Sequence, residues 1–401
     1  MRRYTFRKII NDIHLWLGII SGIVLFIVCL TGTILAFEAE LILLFDKQDY
    51  YSEKTGEPLS FEEIITAIEK ENHVVKDFIY LKDENQNLQF TLLTKEEAHS
   101  GKPAKGRSVQ INPFTGAEVK TTGKTKAFIH SVEELHRVLL LDQKIGRPIV
   151  GICTIIFIVL CISGLILWMP KKIKQFKKRK FWKQGFTLKT KANWKRVNYD
   201  IHNTFGFYAL APMLLMGLTG LLWSFQWYYD GLENVLGDKL GKSRFDKTLP
   251  LKTAYDQIPT IDYAALLNKT DSILPHKNAA TRITLPLKPN ESVMIRKKSD
   301  GFFAYDAADK LQFNPYTNTL ISKSLFKDEK LGGKIASLIR GIHVGSFAGT
   351  FTKIIYFLSC LIATSLPITG ILIWINKMKK ISPRSNLISL IYMAYIPEVY
   401  T

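Results

Sequence analysis

The sequence lacks the motifs by which most enzymes bind nucleotides or activate nucleophiles. It contains no phosphate-binding glycine loop, no Gly-x-Gly-x-x-Gly after a strand, no His-Glu-x-x-His and no nucleophile elbow. These absences exclude a built-in flavin or nicotinamide domain. The sequence therefore identifies no catalytic residue, and any electrons that the chain handles must come from another molecule.

Charged residues are missing from the interior of four long apolar runs, which cover residues 13–37, 149–169, 203–228 and 353–375. About 20 apolar residues cross about 30 Å of hydrocarbon, so the runs predict four transmembrane helices. The first run continues into Glu38 and Glu40 without a small-residue cleavage site, which predicts an uncleaved anchor. All the cysteines lie in these runs, at Cys29, Cys153, Cys161 and Cys360. The polar segments between the runs therefore have no cysteine from which to form a disulfide.

Acidic residues are absent from the connector 170–198, which instead contains twelve lysines and arginines. Basic residues also flank the first and last runs, at Arg2, Arg3, Arg7, Lys8, Lys377, Lys379, Lys380 and Arg384. The positive-inside rule places these segments, and both termini, in the cytoplasm. The net charge of +19 therefore indicates membrane lipid, and not nucleic acid, as the partner. We expect a multi-pass protein of the bacterial inner membrane, with segments 38–148 and 229–352 in the periplasm.

The two halves of the chain repeat each other with a period of about 190 residues. Asp12-Ile13-His14-x3-Gly18-x12-Thr31-Gly32 has the same internal spacing as Asp200-Ile201-His202-x3-Gly206-x12-Thr219-Gly220. Similar markers stand in the second and fourth runs, where Ser163-Gly164 precedes Trp168 and Thr369-Gly370 precedes Trp374. Each half is thus predicted to contain a helix, an outer segment and a second helix.

The outer segments carry a repeated turn motif, Asn112-Pro113-Phe114-Thr115 and Asn314-Pro315-Tyr316-Thr317. An Asn-Pro pair between β-favouring residues predicts a tight turn in a small sheet. Residues 88–92 and 292–295 are predicted strands, and residues 61–70 and 253–258 are predicted helical pieces. Each outer segment is therefore expected to form its own small α+β module.

His14 and His202 lie at matching positions, about one turn inside the cytoplasmic ends of the first and third helices. An ionisable side chain at this depth is costly and indicates a functional site. At about 100° per residue, the glycines four and eighteen positions later share a face with each histidine; they are Gly18, Gly32, Gly206 and Gly220. Glycines allow a flat macrocycle to approach the backbone, although ordinary helix packing by small residues explains the same stripe.

His136 and His343 form a second pair, expected near the outer boundary of the membrane. His136 lies in a predicted amphipathic helix, residues 128–137, and Gly146-Arg147-Pro148 is predicted to interrupt the chain before the second membrane helix. His130 has no counterpart in the second half and is not expected to be a principal ligand. His73, His99 and His276 are isolated in polar segments, and we assign them no role.

These motifs, in the same order in both halves, resemble the PepSY-associated transmembrane family over residues 5–380. The resemblance implies an iron-regulated protein of the inner membrane, and some members are described as haem-containing reductases of ferric siderophores. It also implies a fold class, which is a four-helix membrane bundle with two PepSY-like periplasmic modules. The expected division is 1–37, 38–148, 149–169, 170–200, 201–228, 229–352, 353–376 and 377–401, with alternating membrane helices and outer or cytoplasmic segments.

Paired histidines at two membrane levels suit two haems with bis-histidine ligation, which leaves no open position on the iron for oxygen chemistry. We expect His14 with His202 to hold an inner haem, and His136 with His343 to hold an outer haem. Pairing of an inner with an outer histidine would join imidazoles about 30 Å apart, so we discount it. Since no Cys-x-x-Cys-His occurs, the haems would be of b type. Thiolate ligation by Cys29 or Cys161 is an open alternative without a repeated counterpart.

Two neighbouring features have competing interpretations. Asp12 and Asp200 could orient the inner imidazoles as hydrogen-bond acceptors, or they could cap a helix N-terminus. Trp168 and Trp374 are better explained as interfacial anchors than as parts of a site.

The predicted function is electron transfer across the membrane to a periplasmic ferric chelate, most simply a ferric siderophore. Quinol or a separate cytoplasmic reductase would supply the electrons. One alternative is a non-redox PepSY protein that binds or regulates a peptidase or an envelope component. A siderophore or metal transporter is disfavoured, because the predicted membrane helices have no carboxylate in their interior and no two of them are broken by Gly or Pro into half-helices.

Overall fold

The computed structural model describes residues 5–81, 83, 85–100, 104–121, 123–171, 173–240, 247–275, 280–299, 301–304 and 306–381. The tail 384–401, for which the sequence allows a surface helix, lies outside the described residues, as do Arg2, Arg3, Lys172 and His276. The chain divides into two compact units. The first contains the residues up to Ala36, Ser131–Tyr228 and the residues from Ile354 onwards; the second contains Phe37–His130 and Tyr229–Lys353.

The described α-helices, in chain order, are α1 (Phe6–Leu35), α2 (Glu38–Phe45), α3 (Lys47–Tyr50), α4 (Phe61–Lys70), α5 (Lys95–His99), α6 (Lys124–Val138), α7 (Gln143–Trp168), α8 (Arg179–Phe186), α9 (Trp194–Asp200), α10 (Gly206–Gly220), α11 (Gln226–Leu236), α12 (Tyr263–Ile273), α13 (Leu331–Val344) and α14 (Thr350–Ile381). The strands are β1 (His73–Leu81), β2 (Leu88–Thr94), β3 (Arg107–Ile111), β4 (Ala280–Thr284), β5 (Val293–Lys298), β6 (Ala308–Phe313) and β7 (Leu320–Ser324).

Four helical segments of the described residues are long and apolar enough to cross a membrane, as predicted. They are Phe6–Leu35, Gln143–Trp168, Trp194–Trp223 and Thr350–Met378. The third segment is not a single α-helix, because one turn of π-helix, Ile201–Phe205, joins α9 to α10.

The predicted interruption at Gly146-Arg147-Pro148 is wrong, since all three residues lie inside α7. The Asp142 carboxylate accepts a hydrogen bond from Lys144 N–H and starts the helix before the proline. Gly146 permits this early start. A methyl group at Gly146 would overlap the Val138 carbonyl oxygen, so the glycine allows α6 and α7 to meet at their backbones.

The four membrane segments pack on one another in the first unit through small residues. Each pair of neighbouring helices has a glycine facing a side chain: Gly18 of α1 faces Leu160 of α7, Gly217 of α10 faces Ile158 of α7, Gly206 of α10 faces Leu366 of α14, and Gly22 of α1 faces Pro367 of α14. Small interfacial residues bring membrane helices close together. Cys161, Ala209, Met213 and Ala363 form a buried cluster between the helices, with Cys29 packed against it.

The second unit contains one antiparallel sheet with the strand order β3-β2-β1-β4-β5-β6-β7. We expected two separate modules, and the strands of both halves instead form this continuous sheet. β1 and β4 make the junction, where Phe78 is paired with Ile283. The pairing removes one edge strand from each half, and an exposed strand edge is an aggregation hazard.

α4 and α12 pack on one face of the sheet, and the hydrophobic core lies between these two helices and the strands. Phe78 and Phe90 stack there with ring centroids 5.0 Å apart. The predicted helix 61–70 is confirmed as α4, and Ser60 and Glu63 form a capping box at its start. The predicted helical piece 253–258 is wrong. Pro259 follows this stretch, and the helix starts only at Tyr263, where the Asp262 carboxylate caps Ala265 N–H.

Both Asn-Pro motifs form the expected turns. The Asn112 side-chain oxygen accepts hydrogen bonds from Phe114 N–H and Thr115 N–H, and the Asn314 oxygen accepts one from Tyr316 N–H. Each turn closes on a residue with positive φ, Gly116 at 69° and Asn318 at 51°. Glycine and asparagine are the residues that adopt this conformation most readily.

The junction between the two half-sheets should carry much of the stability of the second unit. Ile283 is fully buried, so Ile283→Ala should lower the free energy of unfolding by about 2–5 kcal/mol. The matched variant Ile321→Ala, at an edge-strand residue that is 42% exposed, should cost less than about 0.5 kcal/mol. Thermal unfolding in detergent measures both changes, and equal effects would contradict a core at the junction.

Candidate functional site

His14 of α1 and His202 of the π-helical turn face each other in the first unit. Their ring centroids are 6.3 Å apart, and the ring planes are at 89°. The duplicated sequence predicted this pair, and the structure brings the two residues together. Among the described residues neither imidazole has a carboxylate partner, and the two histidines belong to different membrane segments.

Each imidazole of this pair makes a hydrogen bond to a hydroxyl group. His14 Nδ1 lies 2.9 Å from Ser163 Oγ on α7, and His202 Nδ1 lies 2.9 Å from Thr369 Oγ1 on α14. The two hydroxyls belong to the Ser-Gly and Thr-Gly pairs that mark the second and fourth helices. Thus each half of the repeat builds one histidine and the hydroxyl that holds it.

The direction of these hydrogen bonds follows from the other bonds of the hydroxyls. Thr369 Oγ1 donates its single proton to the carbonyl oxygens of Ser365 and Leu366, and Ser163 Oγ donates to Leu160. Each hydroxyl oxygen is then an acceptor for Nδ1–H. The proton is therefore on Nδ1, and Nε2 has the lone pair that a metal ion requires.

The glycine after each hydroxyl residue makes room for the imidazole ring. A methyl group at Gly164 would lie 3.3 Å from His14 Cε1, and one at Gly370 would lie 3.3 Å from His202 Cε1. This is closer than ordinary van der Waals contact, so a side chain at either position would push the ring away. The π-helical turn distinguishes the second histidine from the first, and such turns are frequent at functional sites.

His136, at the end of α6, has the same surroundings. Its Nδ1 lies 2.9 Å from the Val28 carbonyl oxygen and 3.0 Å from Thr31 Oγ1. A carbonyl only accepts, so Nδ1 is again protonated. A methyl group at Gly32 would lie 3.3 Å from His136 Cε1. Burial lowers the pKa of His136, and the ring is neutral at physiological pH.

The turn after His136 is strained. Leu139 and Leu140 have φ values of 57° and 56°, a conformation that costs a residue with a Cβ about 1 kcal/mol or more. The two residues reverse the chain between α6 and α7, whose backbones meet at Gly146. This tight reversal fixes the end of α6 and with it the histidine.

His343 lies in the second unit, near the end of α13, and is not placed by the structure relative to His136. Gly345 ends α13 in the left-handed conformation, with φ of 79°. Thr219, which corresponds to Thr31 in the repeat, donates its hydroxyl proton to the carbonyl oxygens of Leu215 and Met216. Thr31 makes the same two bonds, to Ile27 and Val28.

The other predicted residues have the following environments. Gly18 and Gly206 face leucines of neighbouring helices, Gly32 faces His136, and Gly220 is the last residue of α10. Asp200 is buried, forms an ion pair of 2.9 Å with Arg196 and accepts a hydrogen bond from Lys189 N–H, so it does not orient His202. Trp168 stacks on Phe207 at 3.9 Å and belongs to an aromatic cluster. His130 is exposed.

Sequence reasoning missed the role of the hydroxyl residues. Ser163, Thr369 and Thr31 are markers of the repeat in the sequence, and a Ser-Gly or Thr-Gly pair occurs at least once in each membrane helix. That regularity was the available signal. Which histidine each pair serves depends on helix packing, since the partners are 105 to 167 residues apart in the chain.

Removal of the hydroxyl that accepts the His202 hydrogen bond should lower the stability of the protein. Thr369→Val keeps the shape of the side chain but leaves His202 Nδ1–H without its acceptor, which should cost about 1–3 kcal/mol of unfolding free energy. Thr364→Val is the matched control, because in the described part of the chain this buried hydroxyl on α14 donates to the Cys360 carbonyl and holds no histidine. It should change stability by less than about 0.5 kcal/mol. Thermal unfolding in detergent compares the two variants; equal losses would contradict the assigned role.

His136 should make stability depend on pH. Its pKa is lowered in the folded protein, so the unfolded chain binds its proton first as the pH falls. The contribution of the neutral ring is complete above about pH 6.5 and decreases below it, by at most about 1.4 kcal/mol per pH unit. His136→Asn, which retains a donor near Nδ1 but cannot titrate there, should flatten the melting temperature between pH 7 and pH 5 relative to the parent protein. An unchanged pH profile would contradict this assignment.

Comparison with known proteins agrees with the architecture. No curated protein matches the chain. The model of the family described as the PepSY-associated TM region matches residues 12–377, a range that includes all or most of each membrane segment and all the candidate histidines. The chain therefore belongs to the PepSY-associated transmembrane family.

Proposed function

We propose that the protein is a haem b electron carrier of the bacterial inner membrane that reduces a periplasmic ferric chelate, and that its membrane part is a four-helix bundle. The observation that supports this most directly is the facing pair His14 and His202. A bond between a metal ion and an imidazole nitrogen is about 2.0 Å long. With about 1.2 Å from nitrogen to ring centre, two imidazoles on one iron have centroids about 6.4 Å apart. The observed separation is 6.3 Å.

The donor set favours haem over a metal ion bound by protein alone. Within the part of the chain that the structure describes, no group of three or more His, Cys, Asp or Glu side chains could hold a metal ion. Two imidazoles complete a six-coordinate iron when a porphyrin ring supplies the other four nitrogens. A haem held by His14 and His202 would supply single-electron transfer.

The residues around His14 and His202 would fix the protonation and the orientation of both imidazoles. Ser163 and Thr369 hold the Nδ1 protons, so Nε2 of each histidine is a neutral donor without a proton to lose. Hydrogen bonding at Nδ1 also increases the basicity of the ligand and fixes the ring plane. Gly164 and Gly370 leave room for the imidazole rings between the helices.

The repeat extends the proposal to a second haem, held by His136 and His343 nearer the periplasm. The surroundings of His136, with a protonated Nδ1 and a neutral ring, suit a ligand. The assignment of His343 is a prediction from the duplication alone. Two haems at different depths would divide the crossing into shorter steps.

The direction of transfer rests on the charge distribution. The basic connector and the basic flanks favour a cytoplasmic location, which puts the sheet unit in the periplasm. Electrons would then enter at His14 and His202 and leave on the side of the sheet. Family membership makes a ferric siderophore our preferred acceptor. Reduction of the iron to the ferrous state would weaken its binding to the siderophore.

Spectroscopy of the purified protein tests the proposal. Protein produced with ample haem should show a reduced-minus-oxidised haem b spectrum, and His14→Ala or His202→Ala should each remove one haem and retain the other. His130→Ala is the matched control, because this exposed histidine is expected to bind nothing and should leave the spectrum unchanged.

A protein without any haem b band would refute the redox function and favour the alternative, a non-redox PepSY protein that binds a peptidase or an envelope component. Haem content that survives both substitutions would refute the pairing of His14 with His202.

A further inference from the structure

The connector 170–198, which extends into the first turn of the third membrane segment, presents a surface of one charge. Eight basic residues of this connector are described and exposed, and we call them the basic surface: Lys171, Lys174, Lys177, Lys178, Arg179, Lys189, Lys191 and Lys195. The connector contains no acidic residue before Asp200, which is buried and paired with Arg196. Among the described residues, Lys189, Lys191 and Lys195 form no ion pair, so their charges are available to a partner.

Membrane orientation does not account for this composition. The positive-inside rule depends on lysine and arginine, and acidic residues contribute little to it. A connector with several carboxylates would orient the helices equally well. A complete absence of acidic residues is, however, what a surface that attracts an anionic partner requires, because like charges suppress encounter.

The apolar face of the connector is already occupied by the protein itself. In α8, Phe186 packs edge-on against Trp168 at 5.3 Å and against Phe207 at 5.1 Å. Gly185 accepts a hydrogen bond from Trp168 Nε1 at 3.3 Å. Phe186 and Trp182 of α8 thus contact Trp168 at the end of the second membrane segment, while Arg179 at the start of α8 is exposed. This arrangement favours a polar, charged partner over insertion of α8 into lipid.

The basic surface is connected directly to the histidine pair. Lys195 lies seven residues before His202, about 10 Å along the helix axis. Asn198, between them, is buried and donates from Nδ2 to the Thr369 carbonyl oxygen at 3.1 Å. Thr369 also accepts the Nδ1 proton of His202. A molecule bound at Lys195 would therefore stand close to the inner site, on rigid structure.

We propose that the basic surface is the docking site of an acidic, soluble protein that carries single electrons, with an iron–sulfur or flavin group. The inference rests on the proposed function and selects a protein donor over quinol. The carrier is oxidised by one electron and the inner redox centre is reduced by one electron, without proton transfer. Exposed Trp194 and Tyr199 among the cations supply the aromatic contacts that protein interfaces favour.

Stopped-flow reduction tests the docking site. The haem-loaded protein is placed in nanodiscs of neutral phosphatidylcholine and mixed with a reduced plant-type ferredoxin, which is an acidic one-electron carrier. The second-order rate constant should fall about tenfold between 50 mM and 300 mM NaCl. The triple variant Lys189→Gln, Lys191→Gln, Lys195→Gln should be about fivefold slower at low salt. Nine basic residues remain in its connector, so the membrane orientation is retained.

A matched triple variant controls for total charge. Lys252→Gln, Lys323→Gln and Lys327→Gln remove the same charge from exposed positions of the second unit and should leave the rate unchanged. Equal slowing by both triples, or a rate without salt dependence, would overturn the docking site. The docking site would also be overturned if the triple variant of Lys189, Lys191 and Lys195 bound anionic vesicles less tightly but kept the parent rate with ferredoxin. The basic surface would then be a lipid-binding site.

Failure of the proposed function has a different signature. If the protein contains no haem, neither ferredoxin nor dithionite produces a spectral change, and the function is refuted. Calorimetric titration with oxidised ferredoxin then still measures docking by itself. Binding that weakens in the connector triple and in high salt supports the docking site, and absence of binding in the parent protein refutes it.

Discussion

The membrane part of this protein depends on hydrogen bonds between imidazole N–H groups and hydroxyl oxygens of neighbouring helices. In hydrocarbon an unpaired N–H costs several kcal/mol, so a histidine can be buried there only with an acceptor. Ser163, Thr369 and Thr31 provide that acceptor for His14, His202 and His136. Each hydroxyl donates its proton to a carbonyl oxygen of its own helix. The hydroxyl oxygen therefore accepts the hydrogen bond from the imidazole N–H.

The same arrangement couples helix packing to chemistry. A glycine after each hydroxyl residue faces the imidazole carbon beside the bound nitrogen, so the ring occupies the space of a missing side chain. Movement of either helix would break the hydrogen bond and the ring contact together. The Nε2 atoms of His14 and His202 are therefore positioned by the packing of the helices.

Duplication shaped the two units differently. In the first unit, each half contributes one member of the facing histidine pair and one hydroxyl, and the site is complete only when both halves are present. In the second unit, the half-sheets join along β1 and β4 into one sheet with a common core. We expected separate modules because each outer segment has its own predicted strand, helical piece and Asn-Pro turn. A repeat in sequence carries no information on whether the strands at its edges pair with each other, since the backbone bonds between edges are independent of side-chain identity.

The sequence by itself determined the four membrane segments, the repeat, the turns at Asn112 and Asn314 and the matching positions of His14 and His202, because these depend on local composition and on spacing along one helix. Two local predictions failed, at residues 253–258 and at Gly146, where a helix cap and a close backbone approach outweighed the local pattern. Only the tertiary structure decided which hydroxyl holds which histidine, why Gly164 and Gly370 are glycines, and that the outer strands form one sheet. Those features join residues more than 100 positions apart, and the physical reason is that packing between helices and pairing between strands are set by the whole folded chain.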